Sequence, residues 1–315
     1  MRSLFVMDPV QAINIVGDST WVLMLESQKR GWPVAWCTPS ALFVEEQRAM
    51  ARCQAVQMVP EQAPHFRNEP TAVVPLDDFD LIWMRKDPPF DMDYVFSTYV
   101  LDLADAHVVN EPGSIKLANE KMFALQWPEF SPRTMVSNRL DDIRRFGKNF
   151  ERLVLKPWDG NGGRGVVITR HDDRNLGALV ELLTDEGRGY CIAQQYIPEI
   201  TQGDKRIILV DGEPRGWFLR VPGETDHRGN MHVGATVHAC ELTDADRTIC
   251  DAIGPRLKEM GLVFVGIDVI GDRLTEINVT SPTGLQEVLE LQGRALGPEL
   301  LDAAVRGAAA RGERR

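Results

Sequence analysis

Four glycines in seven residues, Asp159-Gly160-Asn161-Gly162-Gly163-Arg164-Gly165, separate two short apolar runs at 153–157 and 166–169. Glycines at this density cost backbone entropy on ordering, so they mark a tight turn or a close approach to a ligand. The string matches G-x-G-x-x-G. A dinucleotide fingerprint, however, needs a helix to begin after the glycines, and here the β-branched run Val166-Val167-Ile168-Thr169 begins instead. A protein kinase needs its lysine on a strand after the loop and HRD and DFG strings elsewhere; Lys156 precedes the loop and those strings are absent. What remains is a glycine-rich β-hairpin whose backbone N–H groups can wrap phosphate oxygens, with Lys156 upstream to neutralise them.

The chain around this hairpin is long enough, at 315 residues, for two or three packed lobes. Before it, buried strands at 4–7, 34–36, 81–84 and 107–110 alternate with helical patterns at 19–30 and 91–106, which predicts an α/β lobe. Ligands gather at the carboxyl ends of strands in such a sheet, where Asp8, Arg85 and Asn110 fall. The stretch after the second strand, with Pro60, Pro64, Pro70 and Pro75, reads as surface connection. After the glycine hairpin come a helix at 174–185, a strand at 191–196, a hairpin around Asp211-Gly212, a helix at 243–260 and a hairpin around Gly271-Asp272. An Ala/Gly/Arg tail occupies 303–315. The domain boundaries expected are 1–118, 119–200 and 201–315.

Charge narrows the partners. With 35 Lys plus Arg against 46 Asp plus Glu, a formal charge of −11, the chain lacks the basic field that nucleic acid or anionic membrane binding requires. Cys37, Cys53, Cys191, Cys240 and Cys250 include no CxxC pair, which fits reduced thiols rather than disulfides or a zinc site. No apolar stretch reaches the length of a membrane span or a signal h-region, so a soluble cytoplasmic protein is expected.

Glu276 and Asn278, two apart on a strand, share a face. A two-residue turn at Gly271-Asp272 puts Asp268 opposite Thr275 on the other face; a three-residue loop, 271–273, pairs Asp268 with Glu276 and brings three oxygen ligands together. The reading adopted is the three-residue loop, whose oxygens suit Mg²⁺. Arg206 opens a strand after Gly203-Asp204-Lys205 and can point its fork at a phosphoryl or carboxylate group. Arg220 and Arg228 flank a loop-like stretch that can act as a lid. His227, His232 and His238 lack partners at ligand spacing and read as surface or lid residues, not a metal cluster.

Taken together, Lys121, the strand at 153–157 with its glycine loop, Ala193-Gln194-Gln195-Tyr196-Ile197-Pro198, Gly203-Asp204-Lys205-Arg206 and Asp268…Glu276-Ile277-Asn278 resemble an ATP-grasp ligase. More narrowly, Val6-Met7-Asp8-Pro9, Asn14-Ile15, Met84-Arg85-Lys86-Asp87-Pro88-Pro89-Phe90-Asp91, Asn119-Glu120-Lys121 and the run Thr275 through Thr283 resemble the bacterial type of glutathione synthetase, over nearly the whole chain. The resemblance implies an ATP-grasp fold, α/β with α+β lobes, preceded by a Rossmann-like domain. It implies formation of an acyl phosphate on the cysteinyl carboxylate of γ-glutamylcysteine, attack by glycine, and release of glutathione, ADP and phosphate. Lys121, Lys156, Gly160, Asn161, Gly162, Gly163, Gln194, Gln195, Tyr196, Ile197 and Asp204 would then bind ATP, the segment 194–197 reading adenine through backbone groups. Asp268, Glu276 and Asn278 would hold Mg²⁺ or Mn²⁺. Arg206, Arg220 and Arg228 would be catalytic, and Asp8, Asn14, Arg85, Ser281, Pro282, Thr283 and Gly284 would form the peptide and glycine site. The resemblance also implies a homo-oligomer.

The chain departs from the family pattern at Gly234-Ala235-Thr236, where members often carry Gly-Gly-Arg, and at Gln286, where many have arginine. Both bear on the acceptor amine and the lid rather than on the ATP chemistry. A ligase joining another γ-glutamyl acid to a different amine, and a non-catalytic nucleotide-binding relative, are the alternatives. The cationic line Lys121, Lys156, Arg206, Arg220 and Arg228 is expected to make the site positive until Mg-ATP fills it.

Overall fold

The computed structural model describes residues 1–223 and 235–312, so Arg228, Gly234, His227, His232 and most of the expected lid lie outside the described residues. The N-terminal unit begins with β1 (Ser3–Met7), α1 (Ser19–Lys29), β2 (Val34–Cys37), β3 (Leu42–Glu45), β4 (Arg48–Met58), β5 (Phe66–Asn68) and β6 (Ala72–Pro75). It continues with β7 (Leu81–Arg85), α2 (Met92–Asp102), β8 (His107–Val109) and α3 (Pro112–Leu117), after which α4 (Glu120–Phe123) packs on the third unit. β2, β1, β7 and β8 pair in parallel in that order. Every residue of β1 and β7 is buried, as expected of strands covered on both faces. Asp18 starts α1 by accepting from the Thr20 and Trp21 N–H groups, and Asp91 starts α2 through Tyr94.

The stretch expected to be surface connection is instead the antiparallel flank of this sheet. β4 runs for eleven residues, joins β2, and carries β3, β5 and β6. Its buried face holds Ala49, Ala51 and Cys53, residues too small to register as a hydrophobic alternation, while Arg48 and Arg52 face water.

The second unit comprises β9 (Thr134–Ser137), α5 (Leu140–Gly147), β10 (Leu153–Pro157), β11 (Val167–Thr169), α6 (Leu176–Leu183) and β12 (Cys191–Gln195), in a sheet ordered β11-β10-β12-β9. The third has β13 (Asp204–Val210), β14 (Glu213–Val221), β15 (Thr236–His238), α7 (Asp244–Glu259), β16 (Phe264–Ile270), β17 (Arg273–Asn278), α8 (Leu285–Gln292) and α9 (Leu296–Gly312), with sheet order β15-β14-β13-β16-β17. The expected tail is therefore mostly the helix α9, whose Leu300, Leu301 and Ala304 are fully buried. Alanines that look like low complexity in sequence are what lets α9 lie close against its neighbours.

The cores are not divided evenly. Leu4, Ile82 and Val108 of the first sheet share one core with Ile207, Val265 and Ile277 of the third, whereas the second unit closes its own small core on Ile143, Leu155, Leu176 and Cys191. Asn110, after β8, fastens the shared core: its amide donates to the Phe264 and Val279 carbonyls, both at 2.7 Å, and accepts from the Phe264 N–H at 2.8 Å. Among the described residues no helix is long and apolar enough to cross a membrane.

Candidate functional site

β10 and β11 form the hairpin read from the glycines, with Leu153 opposite Thr169. Gly162, Gly163 and Gly165 have φ of 58°, 75° and 72°, a region that side chains resist, and a Cβ on Gly160 would lie 2.4 Å from the Pro157 ring. The loop roofs a cleft of about 870 Å³ between the second and third units. All eleven residues expected to bind ATP line it, with Asp268 and Glu276. Lys121 reaches across to donate to the Gly160 carbonyl, tying α4 to the loop.

Asp268 does lie opposite Glu276, but by a different route from the one expected. Ile270 pairs with Arg273, so the turn has two residues, with φ +61° at Gly271; the extra residue is a bulge at Thr275, whose hydroxyl donates to the Asp268 carbonyl at 3.0 Å. The three-residue loop is therefore incorrect. A two-residue turn with glycine first is favoured, and the bulge restores the register it would have shifted. Asn278 completes the face, its amide 3.3 Å from Asp268 Oδ2.

These oxygens meet four buried cations. Arg206 grips Asp268 with two bonds of 2.6 and 3.1 Å and donates to the Thr283 carbonyl at 3.3 Å; Arg220 bonds Asp204 at 2.5 Å and lies 3.0 Å from Asp268. Glu276 stands 3.6 Å from Lys121 and 3.8 Å from Lys156. Four buried cations thus face the carboxyl groups of Asp204, Asp268 and Glu276, with Glu120 beside Glu276. Burial acts to raise Asp268, but Arg206 and Arg220 outweigh it and hold its carboxyl below the usual range. Burial pushes Asp204 up to about 7 against the pull of Arg220, and it lowers Lys156 against the pull of Glu276. Asp204 Oδ1 and Arg220 Nε are buried without a partner among the described residues, and Asp204 lines the cleft.

The donor set fits a hard divalent cation. Carboxylate and amide oxygens share one face, and the ion pairs of Glu276 are longer than hydrogen bonds, so its oxygens are not consumed. Both Asp268 oxygens already accept from guanidinium groups, leaving Glu276 and Asn278 the less committed ligands. Among the described residues no three His, Cys, Asp or Glu side chains form a metal cage.

A second cleft, of about 670 Å³, opens at the carboxyl ends of β1 and β7 and is lined by Asp8, Asp18, Thr20, Arg85 and Lys86. Arg85 is buried and already bonded to the Thr20 hydroxyl at 3.1 Å and the Pro282 carbonyl at 2.9 Å, while Ser281 donates to the Arg85 carbonyl at 3.4 Å. The loop 281–284 therefore touches Arg85 of one cleft and Arg206, which grips Asp268 of the other. Gly284 ends it at φ +128°, where a Cβ would come within 2.8 Å of the Phe218 ring. Gln286 donates to the Ile15 and Asp18 carbonyls at 3.1 and 3.0 Å and so holds the rim of the second cleft. Asn14 is exposed, caps its own loop through the Val16 N–H, and is not among the lining residues. Asn110, at the expected ligand edge, is spent on joining the lobes.

Sequence reasoning missed the apolar walls of the first cleft: Val154, Val166, Ile168, Ile200 and Ile270. The signal was present, since Val154 alternates with Lys156 on one strand face and pairs with Ile168. The Gln195 and Tyr196 N–H groups are spent on the Arg133 and Arg152 carbonyls.

Two family models match: the prokaryotic glutathione synthetase N-terminal domain over residues 1–116 and its ATP-grasp domain over 120–293. A glutathione synthetase of Pseudomonas aeruginosa is 42% identical over 315 residues, 99% of each chain. One of Vibrio parahaemolyticus is 39% identical over 302 residues, 95% of this chain and 96% of the other. Among solved structures, the D-cycloserine synthetase DcsG superposes with a TM-score of 0.67 at 14% identity, covering 99% of both chains. The ATP-grasp ligase PsnB gives 0.63 at 18%, over 98% of this chain and 99% of that one. At such identities these two speak for the fold alone.

Proposed function

This chain belongs to the prokaryotic glutathione synthetase family, with the ATP-grasp fold behind an N-terminal domain, and we propose that it performs that family's reaction, joining γ-glutamylcysteine to glycine at the expense of ATP. The observation that carries this reading is the convergence in one cleft of the glycine hairpin, two buried lysines, Asp268 and Glu276, with Asn278 bonded to Asp268 behind them and loop 281–284 leading to a second cleft.

The chemistry is mainly positioning and charge neutralisation. The apolar walls from Val154, Ile168 and Ile270 accept a flat base, and the glycine N–H groups wrap phosphate oxygens. Lys121 and Lys156 exchange Glu276 for phosphate as the nucleotide enters. Asp268, Glu276 and Asn278 hold Mg²⁺ or Mn²⁺, which when bound offsets phosphate charge and polarises the transferred phosphoryl group. The carboxylate of the peptide then attacks the γ-phosphorus, and ADP leaves. Arg206 and Arg220 present their remaining N–H groups to the acyl phosphate and to the tetrahedral oxyanion formed when the amine attacks. Loop 281–284, fixed to both arginine sites, sets the acid in line with the phosphate. Asp8, Arg85 and Lys86 border the cleft assigned to the peptide.

The test is to incubate pure protein with ATP, Mg²⁺, γ-glutamylcysteine and glycine, omitting each in turn and following ADP and glutathione. Loss of product with every omission is expected; ADP release independent of glycine sinks the assignment. A second reading, a different acceptor amine, is favoured by the neutral Gln286 at the rim of the second cleft. A higher turnover with another amine selects it. The five free cysteines, four of them buried, support a cytoplasmic location with reduced thiols, and we take the working form to be a homo-oligomer.

A further inference from the structure

α4 is a single turn whose first two residues reach to different places. Asn119 caps it, accepting from the Lys121 and Met122 N–H groups at 3.2 and 3.1 Å, and Phe123 roots it in the core shared by the first and third units. Lys121 donates to the Gly160 carbonyl in the roof of the first cleft. Glu120 turns instead to the chain just past β17, where its Oε1 accepts from the Thr280 hydroxyl at 2.9 Å. Thr280 is 3% exposed and stands between Asn278 of the metal face and loop 281–284.

Electrostatics alone give no reason for an acid at position 120. Burial and the neighbouring Glu276 both push its carboxyl up, and Lys121, the Thr280 hydroxyl and Arg206 only partly offset them. Alanine there would relieve the repulsion and strand the Thr280 hydroxyl. The charge-assisted hydrogen bond is therefore what the acid supplies. Its position matters, because the two arginine holds on the loop use groups assigned to ligands: Arg85 on the Pro282 carbonyl and Arg206 on the Thr283 carbonyl. When those arginines turn to substrate, the Thr280 bond stays.

We propose that Glu120 is a positioning residue: through Thr280 it fixes the start of loop 281–284 against the metal face, so that the carboxylate of the peptide stays in line with the γ-phosphate while Arg85 and Arg206 engage their ligands. The role presupposes the ligase reading. Glu120 lines neither cleft and acts only through Thr280. A small displacement of the loop relative to the metal face penalises the alignment of the reacting groups, whereas ATP keeps the glycine hairpin, Lys121 and Lys156.

Steady-state kinetics of four variants, with ATP binding read by calorimetric titration, tests this. Thr280→Val, which keeps the shape and loses the hydroxyl, and Glu120→Ala are each expected to lower kcat about 10- to 100-fold with ATP affinity unchanged. Combining them is expected to be no slower than the slower single variant, since one bond can be lost only once. Glu120→Gln, whose amide oxygen still accepts, is expected to recover most of the turnover. Thr280→Val at the wild-type kcat, a double variant slowed by the product of the two single losses, or Glu120→Gln as slow as Glu120→Ala overturns the proposal. ATP affinity lost in step with kcat gives the bond a merely structural role and overturns it too. Wild type that forms no glutathione from ATP, γ-glutamylcysteine and glycine overturns the ligase reading and the positioning role with it; active wild type with unaffected variants overturns the positioning role alone.

Discussion

Replacing Glu276 with glutamine removes a charge at nearly constant shape and separates two roles of one side chain. In the nucleotide-free protein Glu276 lies 3.6 and 3.8 Å from the ammonium groups of Lys121 and Lys156, whose side chains are 5% and 7% exposed. Without the carboxylate, two buried like charges face each other. Removing one partner of a buried pair costs ~3–5 kcal/mol, and the partial exposure of Glu276 lowers this to about 2–4 kcal/mol. At roughly 2 °C per kcal/mol for a chain of this size, the melting temperature of Glu276→Gln should fall by about 4–8 °C. Differential scanning calorimetry under three conditions reads the roles apart. With ATP and no divalent ion, the triphosphate supplies the missing anion, and ATP should stabilise the variant more than it stabilises wild type. With ATP and Mg²⁺ the order should reverse, because only wild type retains the full ligand face, and turnover of the variant should be almost abolished. An equal fall in all three conditions, or a change under 1 °C without nucleotide, refutes the pairing argument; full turnover refutes the metal role.

Gly284→Ala places a Cβ 2.8 Å from the Phe218 ring at φ +128°, so thermal unfolding should register a loss of about 2–4 kcal/mol, with a KM increase for the peptide exceeding that for ATP. Asn110→Ala strands the Phe264 N–H and two buried carbonyls, and chemical denaturation should show about 2–4 kcal/mol lost. Burial, reinforced by Arg311, lowers the His107 imidazole to about 4 from its ordinary 6.5. Between those values the unfolded chain binds more protons than the folded one, so this contribution is complete above pH 6.5 and falls away towards pH 4, by up to about 3 kcal/mol. His107→Gln should flatten that acid limb in denaturant titrations; an unchanged limb counts against it.

The glycine hairpin, its lysine and the hairpin at Asp211-Gly212 were legible because turn chemistry and β-branched runs are local properties. Asp211 and Gly212 adopt φ of 53° and 82°, the primed turn that their identities demand. The three oxygen ligands were legible as a set but not the bulge that assembles them, because an extra residue in a strand and an extra residue in a loop leave the same spacing. β4 and α9 were hidden by their small buried residues, alanine and cysteine, whose contribution depends on what packs against them. Asn110 was placed correctly at a strand's carboxyl end, yet which of ligand or neighbouring lobe its amide serves is decided by residues more than 150 positions away.

The separate small core under the glycine hairpin should give this molecule two cooperative units. Since Ile143, Leu155, Leu176 and Cys191 make their own cluster while the first and third sheets melt through shared side chains, heat should act on the second unit separately. The first cleft spans the boundary, lined by β10 and β12 on one side and β16 and β17 on the other. ATP bound in that cleft should then fuse two transitions into one, so that apparent cooperativity would report site occupancy in a calorimeter without any chemistry taking place.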